Sequence, residues 1–181
     1  GELQKRRREH KVVKEAVKEL ADETKERVQF EVTEQDQRVF IFTAIGERAV
    51  QTYGKIGKRG PLHTSAAGKA MLAAMPDERI AGIIERKGLE KETENTITDR
   101  EELFAELDEI RERGYATDDE ERTEGLTCIG APVKLGGDVL GAISISAPTK
   151  RLGNAGFDDD ITAEVESTAH ELALDIKYAR S

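Results

Sequence analysis

The sequence predicts an α+β domain in which helices surround an antiparallel sheet. Two observations support this prediction. Segments of alternating polarity occur in both halves of the chain, at 28–45 and 114–148. Between and after them, apolar residues recur every three or four positions, which is the spacing of amphipathic helices. The 181 residues suffice for one such domain with its own core and one appended element.

The composition excludes several functions. A formal net charge of −9 argues against nucleic-acid binding by the chain as a whole, because phosphate contacts need a positive surface. No apolar run approaches the roughly 18 residues of a membrane span, and we expect no membrane partner. The single cysteine rules out an internal disulfide and favours a reducing cytoplasm. Without Cys or His pairs at ligand spacing, we expect no metal and no other cofactor.

The first predicted element is a helix from residue 3 to about 26. Apolar pairs recur every four residues from Val12 to Ala21 and form a narrow stripe. The basic run Arg6–Arg8 before the stripe is interpreted as a solvated helix end. Next, 28–32 and 39–45 predict a hairpin with a polar turn.

The middle of the chain predicts one more strand and three helices. We expect a third strand at 49–53 and a flexible basic loop at 55–60. Helices follow from Thr64 or Ser65 to Met75, from Asp77 to Lys87 with Asp77 as its cap, and from Asp99 to Arg113. After a loop at 151–156, the acids at 158–160 begin a final helix, where the helix dipole favours negative charge.

The segment 114–148 predicts strand, acidic loop, strand, glycine turn and strand. Residues on the two long strands alternate between two faces. One face carries the larger apolar residues Ile129, Ala131, Val133, Val139, Ile143 and Ile145. The other carries Leu126, Cys128, Gly130, Ala142, Ser144 and Ser146. We expect the first face to meet the core and the second to line a cavity or face water.

The turn decides whether the small residues of both strands share one face. A two-residue Gly136-Gly137 turn would pair Cys128 with Ile145 and so place core-facing residues of one strand opposite the small residues of the other. A three-residue turn that includes Asp138 pairs Cys128 with Ser146 instead. We therefore predict the three-residue turn.

Two segments are candidates for ligand binding. The helix start at Thr64–Gly68 offers free N–H groups, which attract an anion, and its small residues permit close approach. The alternative is that Thr64 or Ser65 only caps the helix. Asp118 opens a run of four acids and could accept a hydrogen bond from a ligand hydroxyl, or it could belong to a solvated acidic loop.

An enzymatic function is the less favoured interpretation. Cys128, His63 and an aspartate could in principle form a nucleophile with its base and orienting acid. Nothing in the chain supplies a recognised nucleophile turn, and we expect no catalytic activity.

Two motifs carry a resemblance to a known family. The run GYATDDEERTEGLTCIGAPV at 114–133, followed by GAISISAP at 141–148, resembles the effector-binding domain of IclR-type transcription regulators. Upstream, GPLHTSAAGKAMLA at 60–73 is similar to the other signature of that family. The resemblance covers nearly all of the chain and implies a GAF/profilin-like domain with an antiparallel sheet flanked by helices.

The resemblance also implies a set of ligand-binding residues. These are Ala66 and Ala67 as backbone donors, with Asp118, Leu126, Cys128, Ser144 and Ser146. Ala66 stands where a family member can have glycine, which slightly restricts close approach. Gly60 stands where the family can have a larger apolar residue, and we expect a roomier pocket there.

The implied function is the sensing of a small organic effector, expected to be a carboxylate, that modulates DNA binding. Residues 1–26 would be a linker helix, the remnant of a connection to a missing winged-helix DNA-binding domain, and 27–181 the effector-binding domain. The implied partners are the effector and further copies of the chain, as a homodimer or homotetramer. DNA would be a partner only through the missing domain. The alternative is a GAF-like dimerisation module with a vestigial pocket.

Overall fold

A computed structural model describes residues 1–49 and 57–181. The helices are α1 (Glu2–Thr24), α2 (Ala66–Ala73), α3 (Asp77–Lys87), α4 (Arg100–Arg113), α5 (Thr149–Leu152) and α6 (Asp159–Arg180). The strands are β1 (Arg27–Glu34), β2 (Gln37–Ile45), β3 (Arg59–Gly60), β4 (Ala116–Asp119), β5 (Leu126–Leu135) and β6 (Asp138–Pro148).

These strands form one antiparallel sheet in the order β3-β2-β1-β6-β5-β4. The pairing of β1 with β6 joins the two halves of the chain, which are far apart in sequence. The predicted α+β class is confirmed.

Helices cover both faces of the sheet. On the outer face, the buried stripes of α1 and α6 pack against the larger apolar residues of β1, β5 and β6. On the inner face, α2 lies on β5 and β6, and α3 and α4 complete a second apolar cluster. The predicted stripe of α1 is confirmed, since Val13, Val17, Leu20 and Ala21 are buried.

The pairing of β5 with β6 has the predicted register but not the predicted turn. Cys128 lies opposite Ser146, as expected. The turn itself has two residues, because Leu135 pairs with Asp138. A register shift after Val133 restores the expected parity. It also moves Val139 to the inner cluster, so the prediction that Val139 shares a face with Ile143 and Ile145 is wrong.

Three helix ends test the predicted caps. The carboxylate of Asp99 accepts the N–H of Glu102 at 3.0 Å, and Asp158 caps α6 in the same way. Asp77 is not a cap, because Pro76 occupies that position and Asp77 is the first helical residue. Its carboxylate in the first turn still suits the helix dipole.

Two loop predictions change. The segment 151–156 contains the end of α5 and a short 3₁₀ turn, Gly153–Ala155. Arg59 and Gly60, predicted as loop, form β3 beside β2. Residues 50–53 of the third strand predicted at 49–53, and the start of that loop at 55–56, lie outside the described residues, while Ala49 is not part of a strand. Within the described ranges, no helix combines the length and the apolar character needed to cross a bilayer.

Candidate functional site

The start of α2 offers backbone donors. Ser65 caps the helix, because its Oγ accepts the N–H of Gly68 at 3.0 Å and its carbonyl accepts that of Lys69 at 2.9 Å. The N–H groups of Ala66 and Ala67 lie in the first turn, where the helix supplies no acceptor. Capping by Ser65 therefore coexists with N–H groups at the next two residues that have no acceptor within the helix.

Two glycines allow close packing of this helix start, one against the sheet and one against the segment that precedes the helix. A Cβ at Gly130 would lie 3.2 Å from the nitrogen of Ala67 and 3.3 Å from the Cβ of Ser144. A Cβ at Gly68 would collide with the backbone carbonyl of Leu62. The backbone donors consequently lie close to Gly130 of β5 and to Ser144 of β6.

A strip of buried polar side chains crosses the inner face below α2. The Sγ of Cys128 and the Oγ of Ser146 are 3.2 Å apart, and Ser146 donates to the Oε1 of Gln29 at 3.0 Å. Ser144 is buried one pair further along, opposite Gly130 and Gln29. The strip spans β5, β6 and β1, and Gln29 was not among the predicted residues.

Asp118 lies at one end of this strip and is buried. It pairs with Cys128 across β4 and β5, and its Oδ1 accepts the N–H of Glu121 at 2.7 Å. Burial, reinforced by the nearby Glu121 carboxylate, raises the pKa of Asp118 to about 7. The interpretation as a solvated loop does not hold for this acid.

The acidic loop after Asp118 is fixed to α2 and to the segment before α4. Lys69 donates to the Oε1 of Glu121 at 2.6 Å, with both side chains largely buried. Thr96 donates to the carbonyl of Glu121 at 2.5 Å. Burial raises the pKa of the Glu121 carboxyl, against the opposing effect of Lys69. These contacts hold Asp118 and α2 in one relative position.

A second buried group lies at the β2 end of the inner face. Glu31 and Arg38 form an ion pair of 3.2 Å with side chains 2% exposed, and Arg38 also donates to the carbonyl of Pro61. A Cβ at Gly60 would collide with the guanidinium of Arg38. The expectation of a roomier pocket at Gly60 is therefore wrong, because Arg38 fills that space.

Thr64, directly before the cap of α2, is fully buried. Its Oγ1 makes no hydrogen bond within residues 1–49 and 57–181. A buried hydroxyl costs free energy unless it finds a partner, so such a group beside free backbone donors marks a place for a polar ligand.

The environments of His63 and Cys128 do not suit the catalytic triad considered above. The Nε2 of His63 lies 2.8 Å from the carbonyl of Glu90, and burial lowers the pKa of His63. Burial raises the pKa of the Cys128 thiol, with a further contribution from Asp118, so the thiolate is disfavoured. Across the described part of the chain, no group of three or more His, Cys, Asp or Glu residues is arranged to hold a metal.

All seven predicted residues are buried on the inner face or at the start of α2 that covers it. Leu126 completes this set, in the same apolar cluster as Ala66, Ala67 and Cys128. Sequence reasoning missed the polar residues of β1 and β2 and the lysine on α2. The polar positions of the alternation at 28–32 were an available signal. They indicate a solvent-facing side of the strand until β1 is known to be central in the sheet.

Comparisons with known proteins agree on one family. The profile described as "Bacterial transcriptional regulator IclR C-terminal" matches residues 5–174. The chain is 34% identical over 163 residues to the HTH-type transcriptional regulator KdgR of Escherichia coli K12, covering 90% of this chain and 62% of KdgR. It is 34% identical over 175 residues to a probable HTH-type transcriptional regulator, ArcR, of Halobacterium salinarum, covering 94% of this chain and 66% of ArcR.

Solved structures give the same result. The C-terminal domain of E. coli KdgR matches with a TM-score of 0.77 and 33% identity, over 94% of this chain and 96% of that one. The inducer-binding domain of PobR from Acinetobacter, a double mutant in complex with 3-hydroxybenzoic acid, matches with a TM-score of 0.80 and 25% identity, over 90% and 96%. These relatives are transcription regulators, in agreement with the expectation that the chain is not an enzyme.

Proposed function

The chain belongs to the IclR family of bacterial transcriptional regulators, as a C-terminal domain, and from this we propose that it senses a small carboxylate effector. The effector would lie between the start of α2 and the strip of Cys128, Ser144 and Ser146. The backbone N–H groups of Ala66 and Ala67 would bind its carboxylate, aided by the helix dipole.

The convergence of unused polar groups on the inner face carries this proposal. Two backbone donors in the first turn of α2 and the orphaned hydroxyl of Thr64 lie where that helix meets the sheet. Below them, Ser144 and Ser146 stand on the central strand β6, which fixes the positions of their oxygen atoms. The single hydroxyl proton of Ser146, donated to Gln29 in the ligand-free chain, would turn to the effector on binding. Asp118 would accept a hydrogen bond from a hydroxyl of the effector once its carboxyl is ionised.

The ligand of one relative supports the choice of a hydroxylated acid. The inducer-binding domain of PobR was solved with 3-hydroxybenzoic acid, which combines a carboxylate with a hydroxyl donor. A second carboxylate beside Asp118 would be repelled, whereas a hydroxyl near it would be accepted. We therefore propose an effector with one carboxylate and one donor group.

Two further parts of the proposal concern partners. The chain spans 62% and 66% of KdgR and ArcR, and we propose that effector binding modulates DNA binding by a domain that precedes it in a longer protein. We also propose a homo-oligomer, a dimer or tetramer, and light scattering at tens of micromolar tests this. A particle of the monomer mass, 20.0 kDa, would contradict it.

Binding by the parent chain and two serine variants tests the site. We expect acids from a screen of hydroxylated aromatic and aliphatic carboxylates to raise the melting temperature, because binding to the folded state stabilises it. A hydrogen bond to an ionised group contributes about 1.5–3 kcal/mol, so Ser144→Ala and Ser146→Ala should each weaken binding about ten- to a hundredfold. Cys128→Ser should fold and bind.

Two outcomes would contradict the proposal in different ways. Serine variants that bind as tightly as the parent would show that the ligand lies elsewhere. A screen without any stabilising acid would instead favour a dimerisation module with a vestigial pocket.

A further inference from the structure

Phe40 marks the far end of the inner face. It lies on β2, fully buried, opposite Glu31 of β1. Glu31 in turn lies opposite Ala142, a member of the inner cluster. Since directly opposed residues of antiparallel strands point the same way, the Phe40 ring faces the side on which α2 lies.

Arg122 reaches this ring across the sheet. It follows β4, whereas Phe40 lies on β2, and the strand order places β1, β6 and β5 between them. The guanidinium carbon of Arg122 nevertheless lies 5.2 Å from the centroid of the Phe40 ring. The loop after β4 therefore folds over the inner face and brings the Arg122 guanidinium to the β2 side of β6, the strand that carries Ser144 and Ser146.

The charges around Arg122 are paired, but its own is not. Lys69 pairs with Glu121 at 2.6 Å and Arg38 with Glu31 at 3.2 Å. Among the residues that the structure describes, Arg122 has no carboxylate within the 4.0 Å of an ion pair. The guanidinium is half-buried, and a cation withdrawn from water needs a counter-charge.

The electrostatic influence of Arg122 extends to both ends of the strip. Burial raises the pKa values of Glu31 at the β2 end and of Cys128 at the other, and the charge of Arg122 opposes both increases. An anion bound above the serines would lie within the same field. A planar guanidinium also matches the two oxygens of a carboxylate.

We propose that Arg122 is the residue that selects the charge of the effector, by pairing with its carboxylate over the inner face. This inference rests on the proposed function and adds a specificity that backbone N–H groups and serine hydroxyls lack. Those donors also donate to the carbonyl oxygen of a neutral amide, whereas an unpaired guanidinium favours the anion. The site would thus bind organic acids more tightly than their amides.

Matched pairs of compounds and three variants of the 181-residue chain test the proposal. The probes are 3-hydroxybenzoate, 4-hydroxybenzoate and lactate, each beside its primary amide. Acids that raise the melting temperature of the parent are then titrated by calorimetry into Arg122→Gln, Arg122→Lys and Arg38→Gln. We expect Arg122→Gln to lose about ten- to a hundredfold in affinity for the acid and to leave amide binding unchanged. Arg122→Lys should recover part of the lost affinity, because lysine keeps the positive charge but lacks the two parallel N–H donors of the guanidinium.

The stability of the ligand-free variants separates recognition from a structural role. Arg122→Gln should melt within about 2 °C of the parent because it breaks no ion pair, whereas Arg38→Gln leaves Glu31 alone and should melt several degrees lower. Equal affinity of the parent and Arg122→Gln for the acid overturns this inference and leaves the proposed function standing. A melting temperature for Arg122→Gln as low as that of Arg38→Gln also overturns it. If no acid stabilises the parent, the proposed function fails, and the inference fails with it.

Discussion

The two faces of the sheet are both buried but are built from different chemistry. The outer face packs α1 and α6 against large aliphatic side chains such as Ile129, Ile143 and Ile145. The inner face buries two ion pairs and a chain of side-chain hydrogen bonds beneath α2. Apolar burial stabilises a fold without direction, whereas buried polar groups require defined partners.

This difference separates stability from recognition. A buried ion pair is weak evidence for stability, because removing two charges from water costs about as much as their attraction returns. Conversely, apolar side chains in good contact do not distinguish one polar ligand from another. We infer that packing on the outer face supplies the rigidity that keeps the polar residues of the inner face in fixed positions.

The largest expected effect comes from breaking the ion pair of the inner face. Arg38→Met should cost about 3–5 kcal/mol, because it leaves the Glu31 carboxyl buried without its partner. The double variant Glu31→Leu/Arg38→Met should return to within about 1 kcal/mol of the parent or exceed it, since no buried charge remains. Urea unfolding measures the free energy of both variants, and we expect its dependence on urea concentration to be the same as in the parent.

An exposed pair serves as the control. Glu9 and Arg180 are 2.8 Å apart, with the Arg180 side chain 48% exposed, and Arg180→Met should cost less than about 1 kcal/mol. Were Arg38→Met to cost no more than Arg180→Met, the inner face would not depend on this pair.

A comparable loss is expected from a cavity in the outer face. Leu172 on α6 is 1% exposed, and Leu172→Ala should cost about 2–5 kcal/mol while leaving ligand affinity at the inner face unchanged. Leu174, on the same helix and 54% exposed, is the matched control, and Leu174→Ala should change stability by less than about 0.5 kcal/mol. If Leu172→Ala also weakened the binding of an effector, the two faces would be coupled.

The sequence predicted the outer face better than the inner one. The stripe of α1 and the alternation of β5 are local patterns, and both determine which residues meet the core. The register that sets Cys128 opposite Ser146 was also predictable, because only one parity keeps apolar residues together. The chain achieves this parity by a bulge near Val139 in place of a longer turn. This could not be inferred, because both solutions set Cys128 opposite Ser146 and differ only in the face on which Val139 lies.

The inner network was beyond prediction for a physical reason. The hydrogen bond from Ser146 to Gln29 joins residues 117 positions apart, and the ion pair of Lys69 with Glu121 joins residues 52 apart. Both depend on tertiary pairing that no local periodicity encodes. A polar residue on a strand indicates solvent unless the strand is known to be covered on both faces, and Glu31 is the example here.

A smaller effect is expected where α2 touches the sheet. Gly130→Ala adds a Cβ 3.2 Å from the nitrogen of Ala67 and should displace the helix start by a few tenths of an ångström. We expect a loss of about 1–3 kcal/mol in stability from overpacking and a clear loss of effector affinity. Gly137 has open space around the same position, and Gly137→Ala should leave effector affinity unchanged. Parent-like binding by Gly130→Ala, measured by calorimetry, would show that the donors of Ala66 and Ala67 do not contact the ligand.

Measured per pH unit, the smallest effect is the pH dependence that Asp118 gives to the stability of the inner face. Its pKa is raised from 3.8 to about 7 in the folded chain, chiefly by burial, so between these values the folded state binds more protons than the unfolded state. Stability should therefore fall as pH rises from about 4 to 7, by at most about 1.4 kcal/mol per pH unit from this group.

Asp118→Asn retains an oxygen that can accept the N–H of Glu121 but cannot titrate, and its stability should fall less steeply over that range. Glu31 and Glu121, whose pKa values are also raised, should maintain part of the slope. Urea unfolding midpoints at half-unit pH steps measure the difference, and identical slopes for the parent and Asp118→Asn would show that the burial of this carboxyl does not oppose its ionisation.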